Sequence, residues 1–480
     1  MATHRAVRGA APGGGGVLSA LTAPTIGAGY GLPVSTAALL TDRYELTMLR
    51  AALADGTAGR RCVFEVFARR LPHGRRYGVV AGTGRLLEVL PDLRFDEDDL
   101  AWLEREGVVD APTLDHLAAW RFRGDVTGYP EGEVYVPGSP LLTVRATFAE
   151  AVVLETLVLS VLNHDSAVAA AASRMTGAAD GRPCLEMGSR RTHEEAAVAA
   201  ARAAAVAGFA GTSNLAAGRR YGLATIGTSA HAFTLLHDDE EAAFAAQVAA
   251  LGPSTTLLVD TYDVAAAVER AVALTGSELG AVRLDSGDLG DLAVDVRRQL
   301  DRLGATGTRI VVTSDLDEHA IAALASAPVD RYGVGTSLVT GSGQPTAGLV
   351  YKMVAREDAD GRMVGVAKAS QHKEGVAGAK RAWRELSSGV ASAEVLVVQD
   401  ADGGGPHDDG ADGPPVPGAR ALQVPLVEGG RVVAEGATGP EGVRAAARRH
   451  EESRAELPAS ARRLQRGEPC LPTRVVGAGR

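Results

Sequence analysis

The chain has 480 residues, 46% of them apolar and 4% aromatic, with a formal net charge of −10. That length suits two domains or one large domain with an appendage, and the acidic balance argues against a general nucleic-acid binder while leaving anionic substrates open. The three cysteines, Cys62, Cys184 and Cys470, are scattered without CxxC or metal spacing, which argues against a disulfide framework and fits a reducing cytoplasm.

Residues 1–34 are rich in Ala, Gly and Thr and read as a mobile tail. They hold no continuous apolar segment ahead of a cleavage site, so no signal peptide is expected and the chain is placed in the cytoplasm. Order is expected to begin in LLTDRYELTML (39–49), with Thr41 as N-cap of an amphipathic helix. Tyr44 there is either a partly buried core tyrosine or a stacking contact for a planar ligand. CVFEVFARRLP (62–72) alternates like a strand and ends in Arg69 and Arg70, and RYGVVAGTGRLLEVL runs from strand into helix. Residues 121–146 hold short β-rich runs broken by prolines, the pattern of a small antiparallel unit. Residues 35–148 thus read as an N-terminal α+β domain, with contributions from C-terminal segments.

A helix over 149–175 is apolar nearly all round and should be buried between domains; Glu150, Glu155, His164 and Asp165 within it argue against a membrane span. In EMGSRRTHEEAAV, Arg190 and Arg191 precede a capping box from Thr192 to Glu195, and paired arginines near a helix N-terminus form an anion site. A strand–turn–helix unit then repeats every 20–32 residues or so, the length of a βα unit. Its strand ends are ATIGTSAH, TTLLVDTYD, GAVRLDSGD, TRIVVTSDLD and DRYGVGTS. Such alternation means a parallel sheet, open or closed, with its site at the strands' C-terminal ends. Residues 149–385 read as this catalytic α/β unit. Residues 386–480 form a C-terminal segment containing an acidic Gly/Pro insert (400–418), read as disordered, then a strand or two and an arginine-rich helix with PASARRLQR.

Those strand ends present His231, Asp260, Arg283 with Asp285, Ser314 with Asp315, and Gly333, Gly335 and Thr336. Asp260 or Asp285 could each be a mere helix cap, and the glycines mere turn formers. Five such coincidences on one face are less probable than one pocket. Gly-rich turns beside Ser314 and Thr336 suit a phosphate, Arg283 suits a flat ring or a carboxylate, and His231 suits a base, shuttle or phosphoryl acceptor. Acidic residues facing a phosphate make sense with a bridging Mg²⁺. There is no Walker A sequence and no GxGxxG.

The ordered motifs TDRYELTM, FEVFARRLP, GDV–GYPEG–VYVPG–PLLTV, GSRR, GFAGTSN, GTSAHAF, VDTYD, VRLDSGDL and GVGTSLVT, spread over residues 39–385 or so, resemble nicotinate phosphoribosyltransferase. The resemblance implies a type II phosphoribosyltransferase: an irregular parallel α/β barrel with an N-terminal α+β sandwich domain, usually a homodimer whose sites are completed by the partner subunit. It implies transfer of the phosphoribosyl group of 5-phosphoribosyl 1-pyrophosphate to nicotinate for NAD salvage, coupled to ATP hydrolysis with Mg²⁺. It makes His231 a transient phosphohistidine oriented by Asp260, and places Arg283 and Asp285 on base and ribose and Tyr44 on the pyridine ring. Thr228 and Arg190 fall near nicotinate or phosphate, and Ser314, Gly333, Gly335 and Thr336 at the 5′-phosphate. The basic loop KASQHKEGVAGAKR would bring Lys373 and Lys380 to the pyrophosphate. His164 and Asp165 receive no role. Nicotinamide phosphoribosyl transfer is the nearest alternative, disfavoured by the neutral Ser229 with arginine nearby. A phosphate-binding barrel isomerase or aldolase would want a lysine or a carboxylate base at a strand end, and no strand end carries a lysine.

Overall fold

The computed structural model describes residues 37–368, 376–399 and 416–477. The tail at 1–34, most of the acidic insert and Lys373 lie outside these.

The buried β-branched runs of the repeat form a six-stranded parallel sheet that curls into a half-barrel. Across it the order is Gly211–Thr212, Cys184–Glu186, Arg331–Val334, Arg309–Val312, Ala281–Leu284 and Thr256–Leu258. All pairings are parallel and in register, for example Val312 with Leu284 and with Tyr332. Two of these strands, at 184–186 and 211–212, precede the repeat read from sequence. The first repeat unit, by contrast, is not a strand: ATIG contributes only a parallel bridge from Thr225 to Thr212. Its residues are exposed or half-buried, so no core packing holds it as a strand.

The second layer is a seven-stranded antiparallel sheet in which Arg61–Ala68 lies between Leu349–Glu357 and Leu142–Thr147. Asp125–Gly128, Val424–Glu428 and Arg431–Val432 continue one edge, and Met363–Gly365 ends the other. The short β runs at 121–146 therefore join strands from both ends of the chain. A four-stranded sheet, Arg420–Ala421, Lys380–Ser387, Val390–Val398 and Thr473–Val476, packs beside it.

Between the sheets runs the helix Glu155–Ala178, entered by a turn at Phe148–Ala151. With that turn it is long and apolar enough to cross a membrane by length and composition, yet most of it is buried inside the protein. It carries fully buried Asp165, which pairs with Arg85 at 2.8 Å and accepts from His164 Nδ1. Asp165 is therefore spent on packing. Arg202, also fully buried, clamps Glu131 with Nη1 and Nη2, and Glu131 in turn takes the amides of Gly82 and Gly84. These pairs tie the N-terminal elements to the helices behind the half-barrel.

Local caps differ from expectation. The first helix, Arg43–Asp55, is capped at Asp42 rather than Thr41, whose hydroxyl bonds Glu45 instead. The helix Glu194–Val206 starts after His193, whose Nδ1 accepts the Glu195 amide, so the Thr192 capping box does not form. PASARRLQR lies beyond the C-terminal helix Gly439–Ala455 and forms only one short turn, Ala459–Arg462.

His450 on that helix is 3% exposed, and burial, reinforced by Arg454, pushes its imidazole down to about 4 against the pull of the Gly132 backbone and Glu133. A native histidine that resists protonation lets the unfolded chain bind more protons between pH 6.5 and 4, so stability falls as pH drops through that window. Wild type is expected to lose on the order of 3 kcal/mol there that His450→Leu does not lose. Urea unfolding at pH 7 and pH 4.5 checks this.

Candidate active site

Each strand end delivers one or two polar groups to the same place. Arg283, near the end of Ala281–Leu284, donates Nε to Thr313 Oγ1 at 2.9 Å, Nη1 to Thr228 Oγ1 at 3.1 Å and Nη2 to Asp285 Oδ1 at 3.0 Å. A further contact from Nη1 reaches the Ser229 carbonyl at 3.3 Å. All three nitrogens thus have protein acceptors, so the guanidinium is held as a fixed plane whose face is what remains to offer a ring.

Asp285 also accepts from the Thr313 hydroxyl. Burial pushes its carboxyl up, but Thr313, Arg283 and His231 outweigh that and hold it below the usual carboxylate range. It is therefore an anion at neutral pH.

His231 opens the short helix His231–Leu235. Its Nδ1 lies 3.1 Å from Thr261 Oγ1, and its Nε2 is 4.0 Å from Asp285 Oδ2, with 40% of the side chain exposed. The carboxylate beside the histidine is thus Asp285. Asp260 does not touch the ring: its Oδ2 accepts from the Asp285 amide at 3.0 Å and from Ser286 Oγ at 2.6 Å. The reason is local, because Asp260 sits at the end of the neighbouring strand and faces the next turn. Asp260 Oδ1 is buried with no partner.

Neither aspartate caps a helix. The caps are Asp263, Asp288 and Asp317, two or three residues further on, whose side chains take the helix amides. Asp260, Asp285 and Asp315 are thus free of capping duty.

Ser314 has φ +110°, a conformation that L side chains rarely adopt, on the turn directly after Thr313. Gly335 precedes the four-residue helix that Thr336 opens. Gly333 lies inside its strand, where a Cβ would meet Thr313 Cγ2 at 2.5 Å and Met187 Sδ at 2.8 Å. Only a residue without a side chain fits this close packing. Gly333→Val is expected to displace Thr313 from Arg283 and Asp285, costing about 1–3 kcal/mol of stability along with most activity. Thermal unfolding and a rate assay on the same preparation check both.

The turn carrying Arg190 is fixed by Glu186, a buried carboxylate that takes the Gly188 amide and the Thr212 hydroxyl. Burial raises the Glu186 carboxyl. Arg190 itself is exposed and, among the described residues, has no ion pair. Tyr44 is not brought to the strand ends: it is 45% exposed on the first helix, where burial and Glu155 raise its phenol. Lys380 pairs with Glu65 at 2.8 Å and donates to the Val376 and Gly378 carbonyls, so its charge is spent in the fold.

The residues missed from sequence are Thr313, Thr261 and Glu186. Thr313 stands inside TRIVVTSDLD, one position before Ser314, and only its two cross-strand bonds, to Arg283 and Asp285, reveal it.

A half-barrel whose strand ends converge on an arginine, a carboxylate, a histidine and a strained serine turn is a phosphosugar-handling enzyme site of the α/β barrel class. Residues 39–163 match the nicotinate phosphoribosyltransferase N-terminal domain and residues 183–381 the nicotinate phosphoribosyltransferase family. The chain belongs to the nicotinate phosphoribosyltransferase family. It is similar to nicotinate phosphoribosyltransferase pncB1 of Mycobacterium tuberculosis, 57% identical over 92% of this chain and 96% of that one. It is also similar to the Bacillus subtilis nicotinate phosphoribosyltransferase, 37% identical over 75% of each. Among solved structures, human nicotinic acid phosphoribosyltransferase superposes with a TM-score of 0.72 at 25% identity, covering 90% of this chain and 97% of that one.

Proposed function

We propose that the chain joins nicotinate to 5-phosphoribosyl 1-pyrophosphate and couples this to ATP through His231. The transfer itself, a step of NAD salvage, follows from the family and from relatives of that name. In it the pyridine nitrogen attacks C1 of the ribose as the C1–O bond to pyrophosphate breaks, giving nicotinate mononucleotide. The observation that carries the residue assignment is the Arg283–Thr313–Asp285 chain beside His231.

Arg283, held flat, would form one wall of the base pocket, and the unpaired Arg190 would face an anionic group. The ionised Asp285 is placed to stabilise positive charge developing on the sugar. Ser314, Gly335 and Thr336 would hold the 5′-phosphate. His231, with Nδ1 engaged by Thr261, would present Nε2 to the γ-phosphorus of ATP, releasing ADP; water then returns the phosphohistidine to histidine and phosphate. Mg²⁺ fits the donor set: the orphan Asp260 Oδ1 and the Asp285 carboxylate are oxygens of the kind it binds beside substrate phosphates. It would neutralise phosphate charge.

Tyr44 is flanked on its helix and approach by exposed Leu40 and Met48, an apolar stripe at fourfold spacing. That supports a homodimer in which the partner subunit covers this face and receives Tyr44. In that case, mixing Tyr44→Ala with His231→Ala subunits restores intact sites in mixed dimers, up to about one quarter of the wild-type ATP-coupled rate. No recovery on mixing would sink the shared-site arrangement. A cytoplasmic location remains part of the proposal.

Base choice is tested by pyrophosphate release with nicotinate or nicotinamide as sole base. Nicotinate is expected to be preferred by tenfold or more, roughly the worth of one charge-assisted bond, and Arg190→Ala to erode the preference. Preference for nicotinamide would overturn the assignment of Arg190.

A further inference from the structure

Away from the strand ends, the segment 458–467 lies across the helix Glu155–Ala178 and leaves an open cavity of about 350 Å³. Its walls include Arg75, Arg174, Arg466, His73 and His319, with Glu318 the one carboxylate. None of His231, Arg283 or Asp285 lines it. A small neighbouring recess shares Arg174 and Leu464 and adds Arg454, Arg462 and Arg463. In a chain of net charge −10, this is a dense concentration of cations.

The charges do not cancel. Both oxygens of Glu318 are occupied, by Arg174 Nε at 2.8 Å and Ser342 Oγ at 2.6 Å. Arg75, 6% exposed, donates only to the carbonyls of Ala167 and Gly341, which are neutral. Arg462, Arg463 and Arg466 are exposed and, among the described residues, make no ion pair. Glu318 is the carboxylate whose charge reaches Arg75, and it already binds Arg174, so one carboxylate serves two largely buried guanidinium groups, an excess of positive charge that is costly unless a further anion joins it. Arginines arranged around a polar cavity suit the several oxygens of a phosphate group, and the volume falls in the range of small-molecule sites.

We propose that this cavity binds a phosphate-bearing small molecule, its phosphate between Arg75 and Arg466, independently of the catalytic pocket. The site also touches two segments that lead away from the proposed 5′-phosphate residues: His319, in the helix Glu318–Ala323 that follows the Ser314 turn, and Ser342–Gln344, which follow the Thr336 helix.

Hydrogen exchange of the full chain, with inorganic phosphate or adenosine monophosphate as probe, reads the two sites separately by peptide. Either probe is expected to slow exchange severalfold in peptides covering 72–76 and 464–467. Protection by phosphate alone identifies free phosphate as sufficient, and protection only by the monophosphate identifies a nucleotide. Arg466→Glu with Arg463→Glu, both on exposed side chains, should remove that protection while leaving exchange at 226–231 and the thermal midpoint as in wild type. No protection in the wild type with either probe, or protection that survives the double substitution, would overturn the proposal.

Discussion

His231→Ala is expected to abolish the stimulation of nicotinate mononucleotide synthesis by ATP, lowering the ATP-coupled rate by about 10²–10⁴-fold. The ring is 40% exposed and has a single hydrogen bond, to Thr261, so folding should be nearly unaffected, within about 1 kcal/mol. Phosphohistidine formation needs a nucleophilic nitrogen, and among the described residues no other imidazole lies at these strand ends. The measurement is pyrophosphate release with and without ATP, alongside acid-labile ³²P incorporation from γ-labelled ATP. Loss of rate with undiminished labelling would show that another residue accepts the phosphoryl group. Asp285→Asn complements it: the geometry around Arg283 survives, but the charge beside His231 is gone. Because Asp285 is held below the usual carboxylate range, wild-type activity should not fall on the acid side through its titration until below pH 4 or so.

Arg384→Ala is expected to be the most destabilising substitution, at about 3–5 kcal/mol. Its fully buried guanidinium pairs with Glu133 and Glu394 at 2.7 Å each and with Glu456 at 3.1 Å, and donates to the Val134 carbonyl. It thereby joins the four-stranded sheet to the Val134–Tyr135 strand and to the end of the C-terminal helix. Removing it strands Glu394, which burial already drives upward. In the variant Glu394 must take up a proton to remain buried. Its folded pKa then lies above the unfolded value, so the deficit shrinks as pH falls and grows as pH rises. Urea unfolding of both proteins at pH 5 and pH 8 measures this. An equal deficit at both values would show that Glu394 finds another cation, with Arg420, which already bridges Glu133 and Glu456, the nearest alternative.

Much of the site was legible because a parallel strand announces itself twice, by an apolar β-branched run and by polar residues where it stops. Arg283, Asp285, Ser314 and Thr336 were found that way, and they do gather at adjacent strand ends. Which aspartate of a pair caps the next helix is not legible in the same way. DTYD and LDSGD each hold two aspartates, and periodicity does not say which one turns back to the helix amides. In three dimensions the second does, in both motifs. The resemblance puts Gly333 at the 5′-phosphate, and the fold adds what GVG does not announce, that this glycine permits the close approach of Thr313 and Met187.

The sequence by itself determined the βα rhythm, the buried central helix, the family and the set of polar residues offered at the strand ends. These are properties of local pattern, since burial of a strand or helix face requires a matching period. Only the tertiary structure decided which carboxylate stands beside His231, that Thr313 couples Arg283 to Asp285, that Asp165 and Lys380 are spent on buried ion pairs, and that Leu349–Glu357 crosses over to pair with Arg61–Ala68. Each of these depends on side chains brought together from positions remote in the chain, and sequence spacing carries no information about contacts between neighbouring strands.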